Sequence, residues 1–435
     1  MKTRAFYSWG RIAPVFAHAA QAVWRNALPQ VEGERLAYGL GRSYGDSCLL
    51  TGGTMIETRG LDRLISFNPE TGLLVAEAGL SLDALLRFSV PRGWFLPVTP
   101  GTRYVTLGGA IANDIHGKNH HRAGTFGRHV KRLTLHRSDG RVLDLSPEEN
   151  SALFAATVGG LGLTGLISVV ALQLVPIQTA FIDAELIPFT SLPEFMTLSA
   201  ESEAGFEHTV SWIDCAAGKQ HAGRGIFIRG NHSPGEPRER VPHQAPRLSV
   251  PADFPEFCLN RHTVGAFNTL YFHRIGGSRK TVRQHYSPFF HPLDAVNGWS
   301  RIYGKRGFYQ YQCVVPFDGG LEAMTDMLRR IAASGQASFL AVLKTFGDLP
   351  SPGLLSFPRP GITLALDFAN RGESTLALFR ELDAIVRSTH GAWYPAKDAR
   401  MSPADFRASY PALDRFLPHV DPAFTSDFWK RMTAL

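Results

Sequence analysis

Three glycine-rich segments in the first part of the chain limit how it can fold. They are GLGRSYGD at 39–46, GGAIANDIHGKNHH at 108–121 and VGGLGLTGLI at 158–167. A backbone with so little side-chain bulk can turn sharply and present its N–H groups to a phosphate, or lie flat against a ring. Taken alone, the first segment fits an ordinary tight turn at least as well. Together the three segments predict a binding surface made largely of backbone.

The second segment carries His116, His120 and His121, at spacings that also occur in metal sites. A metal centre normally adds a carboxylate or thiolate ligand and a supporting second shell, and only Asp114 lies nearby in the sequence. We therefore expect no metal ion to be bound here. A purely structural use of the three imidazoles stays open as an alternative.

The third segment matches the letters GxGxxG at Gly160, Gly162 and Gly165. In a Rossmann nicotinamide site such glycines join a strand to the helix that follows it. Here they precede a strand-like run instead. The pattern argues against a nicotinamide site but is compatible with a backbone contact to another nucleotide.

The balance of charges narrows the class of ligand. Lys and Arg number 45 against 38 Asp and Glu, a formal net charge of +7, which suits a phosphate-bearing substrate, an anionic membrane surface or nucleic acid. The basic residues are scattered and not interleaved with aromatic ones, so we expect no nucleic-acid partner.

The four cysteines lie far apart and the N-terminus has no apolar signal segment. These features predict a cytoplasmic or membrane-peripheral protein without disulfides.

Local patterns predict two helices in the first part of the chain. One lies in SLDALLRFSV, opened by Ser81 and closed by Pro91. The other is expected to begin at Ser146, with Glu149 completing a capping box. The uncharged stretch that follows, up to 182, is rich in glycine and then in β-branched residues, so it predicts a loop and a strand rather than a membrane span.

From about Phe181 the strand-like runs become longer. Examples are FEHTVSWIDCA, GFYQYQCVVPF, ASFLAVLKTFG and GITLALDFAN, with one amphipathic helix between two of them. This pattern predicts an α+β domain with an antiparallel sheet. The stretch from about His232 to Pro251 is rich in proline and charge, and we expect it to form a mobile loop or lid.

The three glycine-rich segments, in this order, resemble the vanillyl-alcohol-oxidase (PCMH) type of FAD-binding family. The resemblance extends to QYQ, LKTFG, YPAKDAR and DPAFTSDFWKRM, and within the family it is greatest to the polyprenyl-phosphoryl-ribose 2′-oxidases. It implies a two-domain α+β fold. Residues 1–178 would begin an FAD-binding domain, 179–391 would form a substrate domain with an antiparallel sheet, and 392–435 would return to the FAD-binding domain.

The resemblance also implies that the cofactor is FAD. Covalently flavinylated relatives carry histidine in the first glycine turn, whereas this chain has Tyr44, which implies non-covalent binding. Asn113 to His116 and the small residues before them would wrap the cofactor. The full set of implied FAD-binding residues is Gly39, Gly41, Arg42, Ser43, Tyr44, Gly45, Asp46, Gly101, Thr106, Leu107, Gly108, Gly109, Asn113, Asp114, Ile115, His116, Ile167 and Tyr394.

For catalysis, the resemblance places Lys397 beside flavin and substrate, where a cation stabilises the charge of reduced flavin. The base that takes the hydroxyl proton is left open between Tyr44, His116 and Lys397. Alternation in QYQ puts both glutamines on one face of a strand, where amides suit sugar hydroxyls. The implied substrate contacts are Lys118, Trp212, Gln310, Tyr311, Gln312, Lys344, Ala365 and Lys397.

The activity implied is FAD-dependent oxidation of the 2′-hydroxyl of a polyprenyl-phosphoryl-β-D-ribose to the 2′-keto sugar. This is the first half of an epimerisation to an arabinose donor for cell-envelope glycans, so a separate short-chain NAD(P)H-dependent reductase is an implied partner. The resemblance also implies peripheral contact with a membrane. Ala365 stands where other members of the group carry cysteine, which leaves the redox chemistry intact but alters the pocket. The alternatives are an alditol or aldonolactone oxidase that uses oxygen, and a flavin-binding structural or sensory subunit without turnover.

Overall fold

The computed structural model describes residues 2–218 and 221–434. The part of the chain before residue 179 builds a four-stranded sheet in the order β1-β2-β4-β3, a five-stranded sheet in the order β5-β6-β10-β8-β9, and the short pair β11-β7. The strands are β1 (Lys2–Phe6), β2 (Val15–Gln21), β3 (Arg35–Tyr38), β4 (Thr54–Glu57), β5 (Leu64–Phe67), β6 (Leu73–Glu77), β7 (Trp94–Phe95), β8 (Val130–His136), β9 (Val142–Leu145), β10 (Leu166–Gln173) and β11 (Val175–Pro176).

The helices of this part are short and are set by local caps. They are α1 (Leu82–Ser89), α2 (Leu107–Ala112), α3 (His120–Ala123) and α4 (Ser151–Thr157). Helix α1 begins as predicted, because the Ser81 hydroxyl accepts a hydrogen bond from the Ala84 N–H at 3.1 Å. The prediction that the next helix begins at Ser146 is wrong. The Ser146 hydroxyl instead closes a turn by accepting from the N–H groups of Glu148 and Glu149, and α4 starts five residues later.

One eight-stranded sheet dominates the rest of the chain, in the order β16-β12-β14-β13-β19-β20-β18-β21, and every neighbouring pair in it is antiparallel. The α+β class predicted from the strand-like runs is confirmed. The strands, including the separate pair β15-β17, are β12 (Phe181–Phe189), β13 (His208–Ile213), β14 (Gly225–His232), β15 (Leu248–Ser249), β16 (Lys280–His285), β17 (Val296–Asn297), β18 (Phe308–Val315), β19 (Ala341–Phe346), β20 (Gly361–Ala369) and β21 (Ala392–Trp393).

Amphipathic helices cover one face of the large sheet. In α8 the buried side chains of Met324, Met327, Leu328 and Ile331 recur at helical spacing and pack against the sheet core. The opposite face is left free to line a cavity. The helices of this part are α5 (Leu192–Ser202), α6 (Arg261–His273), α7 (Tyr286–Phe290), α8 (Gly320–Ser334), α9 (Glu373–Ser388), α10 (Pro403–Ser409), α11 (Leu413–Phe416) and α12 (Asp427–Thr433).

The C-terminal segment contacts the first part of the chain. The Arg35 N–H donates to the Ala423 carbonyl at 2.8 Å, and the Asp427 N–H donates to the Leu49 carbonyl at 2.8 Å. The Arg431 guanidinium forms a bidentate ion pair with Asp46. The domain boundaries at 178/179 and 391/392 stay predictions. The segment 150–182 forms α4 and strands, and none of the helices described is both long and apolar enough to span a membrane.

Candidate active site

A cavity of about 360 Å³ lies between the glycine-rich segments and the free face of the large sheet. Of the predicted cofactor residues, those that line it are Gly39, Gly41, Arg42, Ser43, Tyr44, Gly101, Thr106, Gly108, Gly109, Asn113, Ile115, His116, Ile167 and Tyr394. Of the predicted substrate contacts, those that line it are Lys118, Gln310, Gln312, Lys344, Ala365 and Lys397. Segments far apart in the sequence therefore meet at one site.

The first glycine turn exposes backbone to the cavity. A Cβ on Gly39 would lie 2.6 Å from the Thr106 hydroxyl oxygen, and Gly41 has a φ of 60° that favours glycine. In the described part of the chain, the N–H groups of Gly41, Arg42 and Ser43 have no hydrogen-bond partner. Unpaired N–H groups at a cavity wall suit an anionic group such as a pyrophosphate.

Arg42 adds a cation to this turn. Its guanidinium lies 4.2 Å from the centroid of the Trp9 ring, and its buried Nε has no hydrogen-bond partner among residues 2–218 and 221–434. Burial lowers the pKa of Arg42, while the carboxylate of Asp294 counteracts the shift. A buried guanidinium with an unused donor, beside free N–H groups, fits a phosphate ligand.

Helix α2 forms the second backbone wall. Thr106 caps it by accepting from the Gly109 N–H at 3.1 Å, and the Gly108 N–H donates to the Ala78 carbonyl at 2.7 Å, which holds the helix against the end of β6. A Cβ on Gly101 would meet nothing within 4 Å, so the cavity is open at that point. The pyrophosphate of FAD needs hydrogen-bond donors, which the free N–H groups and the Arg42 guanidinium offer. Its flat ring needs a wall without side-chain bulk, which the glycines offer. These residues therefore fit the cofactor.

The predicted alternation along β18 is observed in the structure. Gln310 and Gln312 both face the cavity, and each is paired across the sheet with a residue of β20, Asp367 and Ala365 respectively. The Gln312 amide nitrogen lies 3.0 Å from Nε2 of His116. The sheet thus presents a polar row toward the glycine-rich segments.

His116 is held between two elements. Its Nδ1 lies 2.8 Å from Nζ of Lys344, and Lys344 also donates to the Gly117 carbonyl at 2.8 Å. Burial and the neighbouring Lys344 charge keep the pKa of His116 well below its usual value, so the imidazole is neutral at neutral pH. Both ring nitrogens of His116 are therefore engaged by Lys344 and Gln312.

Three of the lysines that the structure describes line the cavity. Burial lowers the pKa of Lys344 to about 7, with repulsion from Lys118 and Lys397 adding to the shift. Burial lowers the pKa of Lys118 to about 8, and it also lowers the pKa of Lys397, against the attraction of the Asp367 carboxylate. An anion bound among these lysines would favour their charged forms. The site is therefore suited to a phosphate-bearing ligand.

Lys397 and Tyr44 lie together. Nζ of Lys397 is 4.1 Å from the centroid of the Tyr44 ring, and the Tyr44 hydroxyl accepts from the Gln310 amide at 3.3 Å. Burial and the nearby Asp367 raise the pKa of Tyr44 well above its usual value, so the phenol keeps its proton. Gln310 also donates to Asp367 at 2.6 Å, and burial raises the pKa of this carboxyl group.

Four predicted cofactor residues lie behind the cavity wall. Leu107 is in the apolar core, and a Cβ on Gly45 would collide with the Asp398 carbonyl. Asp46 pairs with Arg431. Asp114 accepts hydrogen bonds from the Gly127 N–H at 2.8 Å and from Ser356, and burial raises its pKa to about 6. These four residues shape the backbone that lines the cavity.

Two predicted substrate contacts also lie off the cavity. Tyr311 points to the opposite face of β18, and its hydroxyl donates to Asp383 at 3.1 Å within the core. Side chains alternate between the two faces of a strand, so the residue between two glutamines that face the cavity must face the core. The Trp212 ring packs against Tyr271 with centroids 4.7 Å apart, and its Nε1 donates to the Phe339 carbonyl at 3.0 Å.

Sequence reasoning missed Asp367 and Asp294. Asp367 follows Ala365 by two positions on β20, so the period of a strand could have found it. Asp294 lines the cavity and accepts from the Thr102 hydroxyl and the Arg103 N–H, both at 2.8 Å. It lies in an irregular segment that carries no pattern.

The proline-rich stretch from His232 to Pro251 is anchored at its centre. His243 is 3% exposed, and its Nε2 lies 2.7 Å from Asp83 of α1 while its Nδ1 contacts the Tyr286 hydroxyl. None of the residues in this stretch lines the cavity. The prediction that the stretch forms a mobile lid over the pocket is therefore wrong, because a buried hydrogen-bonded histidine holds it against the first part of the chain.

Comparison with known proteins gives two kinds of match. Residues 21–146 match the model of an FAD binding domain. Along the whole chain, the protein is 37% identical to the decaprenylphosphoryl-beta-D-ribose oxidase of Mycolicibacterium smegmatis, covering 100% of this chain and 98% of that protein. An uncharacterized protein of Streptomyces coelicolor is 34% identical over 81% of this chain and 100% of its own length.

A third relative matches only in part. The L-gulono-1,4-lactone dehydrogenase of Mycobacterium tuberculosis is 34% identical over 40% of this chain and 37% of its own length. A match over less than half of both chains is expected when two proteins share a cofactor-binding domain and differ in their other domains.

Proposed function

The chain belongs to the family of the FAD-dependent decaprenylphosphoryl-β-D-ribose oxidases, and we propose that it oxidises the 2′-hydroxyl of a polyprenyl-phosphoryl-β-D-ribose to the 2′-keto sugar. The protein is an FAD-dependent oxidoreductase. The observation that carries the proposed substrate is the group of Lys118, Lys344 and Lys397 around one cavity that also presents amides to a sugar. A free sugar alcohol or lactone carries no charge to match the ammonium of Lys118 or to favour the charged form of Lys344.

The phosphate of the substrate binds near Lys118 in this proposal. Nζ of Lys118 donates to the Phe289 carbonyl at 2.7 Å and lies 4.9 Å from the Phe289 ring centroid, which fixes the ammonium at the cavity wall. With a pKa lowered to about 8, Lys118 is still mostly charged at neutral pH, and a bound phosphate favours that charged form. The amides of Gln310 and Gln312 bind the sugar hydroxyls.

Bound FAD supplies the acceptor for the hydride that leaves the sugar C2′. The hydroxyl proton must go to a base of the protein. The Tyr44 phenol keeps its own proton, and both ring nitrogens of His116 are engaged by Lys344 and Gln312. In the described residues Lys397 Nζ has no hydrogen-bond partner, and burial lowers its pKa.

Lys397 therefore acts first as the base and then as a cation. Its neutral amine takes the hydroxyl proton as the C2′–H bond breaks, and the ammonium that results stabilises the negative charge left on the cofactor. Lys344 is a positioning residue that holds His116, and His116 in turn contacts Gln312. This assignment makes the proton acceptor and the stabilising charge the same side chain.

Anaerobic mixing of the FAD-loaded protein with synthetic prenyl-phosphoryl ribose tests the proposal. Bleaching of the flavin absorbance, with formation of the 2′-keto sugar seen by mass spectrometry, is the expected result. Bleaching by free alditols or aldonolactones alone, with peroxide release in air, would instead assign the protein to the oxygen-using oxidases. A flavin that no alcohol reduces would assign it a role without turnover.

A separate reductase completes the epimerisation in this proposal. The 2′-keto sugar has lost its stereocentre, and hydride delivery to its other face gives the arabinose epimer. Hydride from a nicotinamide is the ordinary source, so a short-chain NAD(P)H-dependent reductase is the proposed partner. Adding such a reductase and NADPH to the oxidase mixture should yield the arabino product. Formation of ribo product alone would contradict the assignment.

The lipid tail of the substrate requires contact with a membrane surface, and one surface suits it. Phe257 and Leu270 are 75% and 74% exposed, and Phe267 between them is 45% exposed. The exposed cations next to them in the chain are Arg261 and Arg274. Large apolar side chains flanked by arginines fit the interface of an anionic bilayer.

This surface adjoins the cavity. The ring of Phe267 lies 5.9 Å from that of Phe339, and the next residue, Leu340, lines the cavity. A prenyl chain leaving the cavity at this point would enter the bilayer directly. We refer to Phe257, Phe267 and Leu270 with the two arginines as the apolar-basic surface.

Co-sedimentation with phosphatidylglycerol vesicles tests this contact. Binding should weaken as salt is raised, because counterions screen the arginines. The double variant Phe257→Ser with Leu270→Ser should bind less than wild type, whereas Phe16→Ser, which removes a side chain 62% exposed on β2, should not. Equal binding by all three proteins would place the membrane contact elsewhere.

A further inference from the structure

Glu207, His208 and His232 meet at the ends of two paired strands, outside the cavity. His208 opens β13 and His232 closes β14, and the antiparallel pairing of these strands places His208 opposite Gly230. One ligand-type atom from each of the three side chains lies within 4.8 Å of the others. Neither the sequence motifs nor the oxidation reaction uses this cluster.

Two imidazole nitrogens converge on one carboxylate oxygen. Oε2 of Glu207 lies 2.8 Å from Nδ1 of His232 and 3.4 Å from Nε2 of His208. In a tetrahedral site with metal bonds of about 2.0–2.1 Å, ligand atoms are roughly 3.3 Å apart. The two distances from Glu207, 2.8 and 3.4 Å, are therefore close to those between ligands of one ion, and all three ligand atoms lie within 4.8 Å of one another.

His208 is buried with unused bonding capacity. It is 5% exposed, and among residues 2–218 and 221–434 neither of its ring nitrogens makes a hydrogen bond of good geometry, the 3.4 Å approach of Glu207 included. A buried polar group without a partner in a native fold points to an unseen water or ion.

Aromatic rings pack against both histidines of the cluster and fix the direction of their nitrogens. The His208 ring packs edge-on against Phe290 with centroids 4.8 Å apart, and the His232 ring lies 5.1 Å from that of Phe95. His120 is also buried with unpartnered ring nitrogens, but no carboxylate accompanies it. Among residues 2–218 and 221–434, this cluster brings two imidazoles and a carboxylate oxygen together, a donor set that divalent transition metals bind.

We propose that Glu207, His208 and His232 bind a divalent first-row transition-metal ion, with Zn²⁺ as the ion that their two-nitrogen, one-oxygen donor set suits. Three protein ligands leave one position for water, and the Glu207 side chain, 49% exposed, forms the solvent side of the site. The metal ties β13 to β14 behind the cavity wall. Phe290 and Lys118 belong to that wall, and Lys118 O accepts from the Thr209 N–H at 2.7 Å.

The test uses tag-free, FAD-loaded protein that has been dialysed against a chelator. Isothermal titration with Zn²⁺ should show one ion per chain. X-ray absorption at the zinc edge should show imidazole scattering and a first shell at about 2.0–2.1 Å. Zn²⁺ should also raise the melting temperature, because it binds the folded state only. The flavin spectrum should stay unchanged, which separates this result from the proposed oxidation.

Glu207→Gln and His232→Gln should each weaken Zn²⁺ binding at least tenfold and abolish the rise in melting temperature. Glu207 is half exposed, so its variant is expected to fold normally. His262→Gln, which removes an exposed histidine on α6, is the matched control and should bind as wild type does. Absence of stoichiometric binding to wild type, or equal binding by Glu207→Gln, would overturn the proposal.

Discussion

Nζ of Lys397 lies 4.1 Å from the centroid of the Tyr44 ring, where the first glycine turn meets the C-terminal segment. The backbone confirms this meeting, because the Tyr44 N–H donates to the Ala396 carbonyl at 2.8 Å. The segment that carries the proposed base is thereby fixed to the segment that is expected to bind the cofactor. A rigid link of this kind keeps a proton acceptor at a constant distance from the reacting carbon.

Lys397→Ala should fold and bind FAD but lose most of its activity. The variant removes both the base and the charge that stabilises reduced cofactor, and loss of one such stabiliser typically costs about 2.7–4 kcal/mol, or ~100- to 1000-fold in rate. Stopped-flow flavin reduction by prenyl-phosphoryl ribose measures the effect. Lys280→Ala, which removes an exposed lysine on β16, is the control. Near-normal reduction in Lys397→Ala would show that another group performs both roles.

Lys397→Arg separates the charge from the base. Arginine keeps the positive charge but cannot accept a proton in this pH range, so the variant should stay almost as slow as Lys397→Ala. In wild type the pKa of Lys397 is lowered, so Lys397 loses its proton at a lower pH than an ordinary lysine, whose pKa is about 10.4. The reduction rate at saturating substrate should therefore rise with pH and level off below that value. Recovery of activity in Lys397→Arg would mean that Lys397 acts only through its positive charge and not as the base.

FAD should leave the protein intact when the protein is denatured. The turn that would carry a histidyl link to flavin holds Tyr44, whose phenol is buried, protonated and bonded to Gln310. Precipitation with acid, followed by chromatography of the supernatant, should recover one equivalent of unmodified FAD. Yellow colour that stays with the washed pellet would contradict non-covalent binding.

Asp83→Asn should loosen the stretch that His243 anchors. Burial alone would raise the pKa of Asp83, but hydrogen bonds from His243, Arg103 and Arg87 outweigh it and hold this pKa well below the usual value. Loss of one member of such a partly buried network costs about 3 kcal/mol. The variant should melt at lower temperature and be cut faster by protease between His232 and Pro251.

The same carboxylate gives a pH signature. Because the folded pKa of Asp83 is lowered, its stabilisation is complete above the unfolded value of about 3.9 and is lost as pH falls below it. Wild type should therefore lose its stability advantage over Asp83→Asn in acid. An advantage that stayed constant from neutral pH down to about pH 3 would show that the charge of Asp83 contributes nothing.

Ala365→Leu should weaken substrate binding and leave the cofactor in place. Ala365 faces the cavity between Gln312 and Val342, so a larger side chain takes space from the substrate. Overpacking costs about 1–3 kcal/mol, which predicts a rise of roughly tenfold or more in the substrate concentration for half-maximal flavin reduction. Ala365→Ser adds one atom and should change this concentration little. An unaltered value in Ala365→Leu would mean that the substrate does not approach β20.

Features of short range could be predicted from the sequence by itself. The glycines at 39 and 41 allow the backbone to turn sharply without side-chain bulk, and the QYQ alternation follows from the two-residue period of a strand. The Ser81 cap depends on the next three residues only. The same period also implied that Tyr311 faces away from the glutamines.

Only the tertiary structure decided which distant side chains meet. His243 and Asp83 are 160 residues apart in the chain, and their contact turned an expected lid into an anchored segment. Asp367 came to lie near Lys397, and His232 beside Glu207, through the packing of strands joined by long connections. Packing also removes water from these groups and so shifts their pKa values. Burial depends on the whole fold, so no local sequence pattern predicts these shifts.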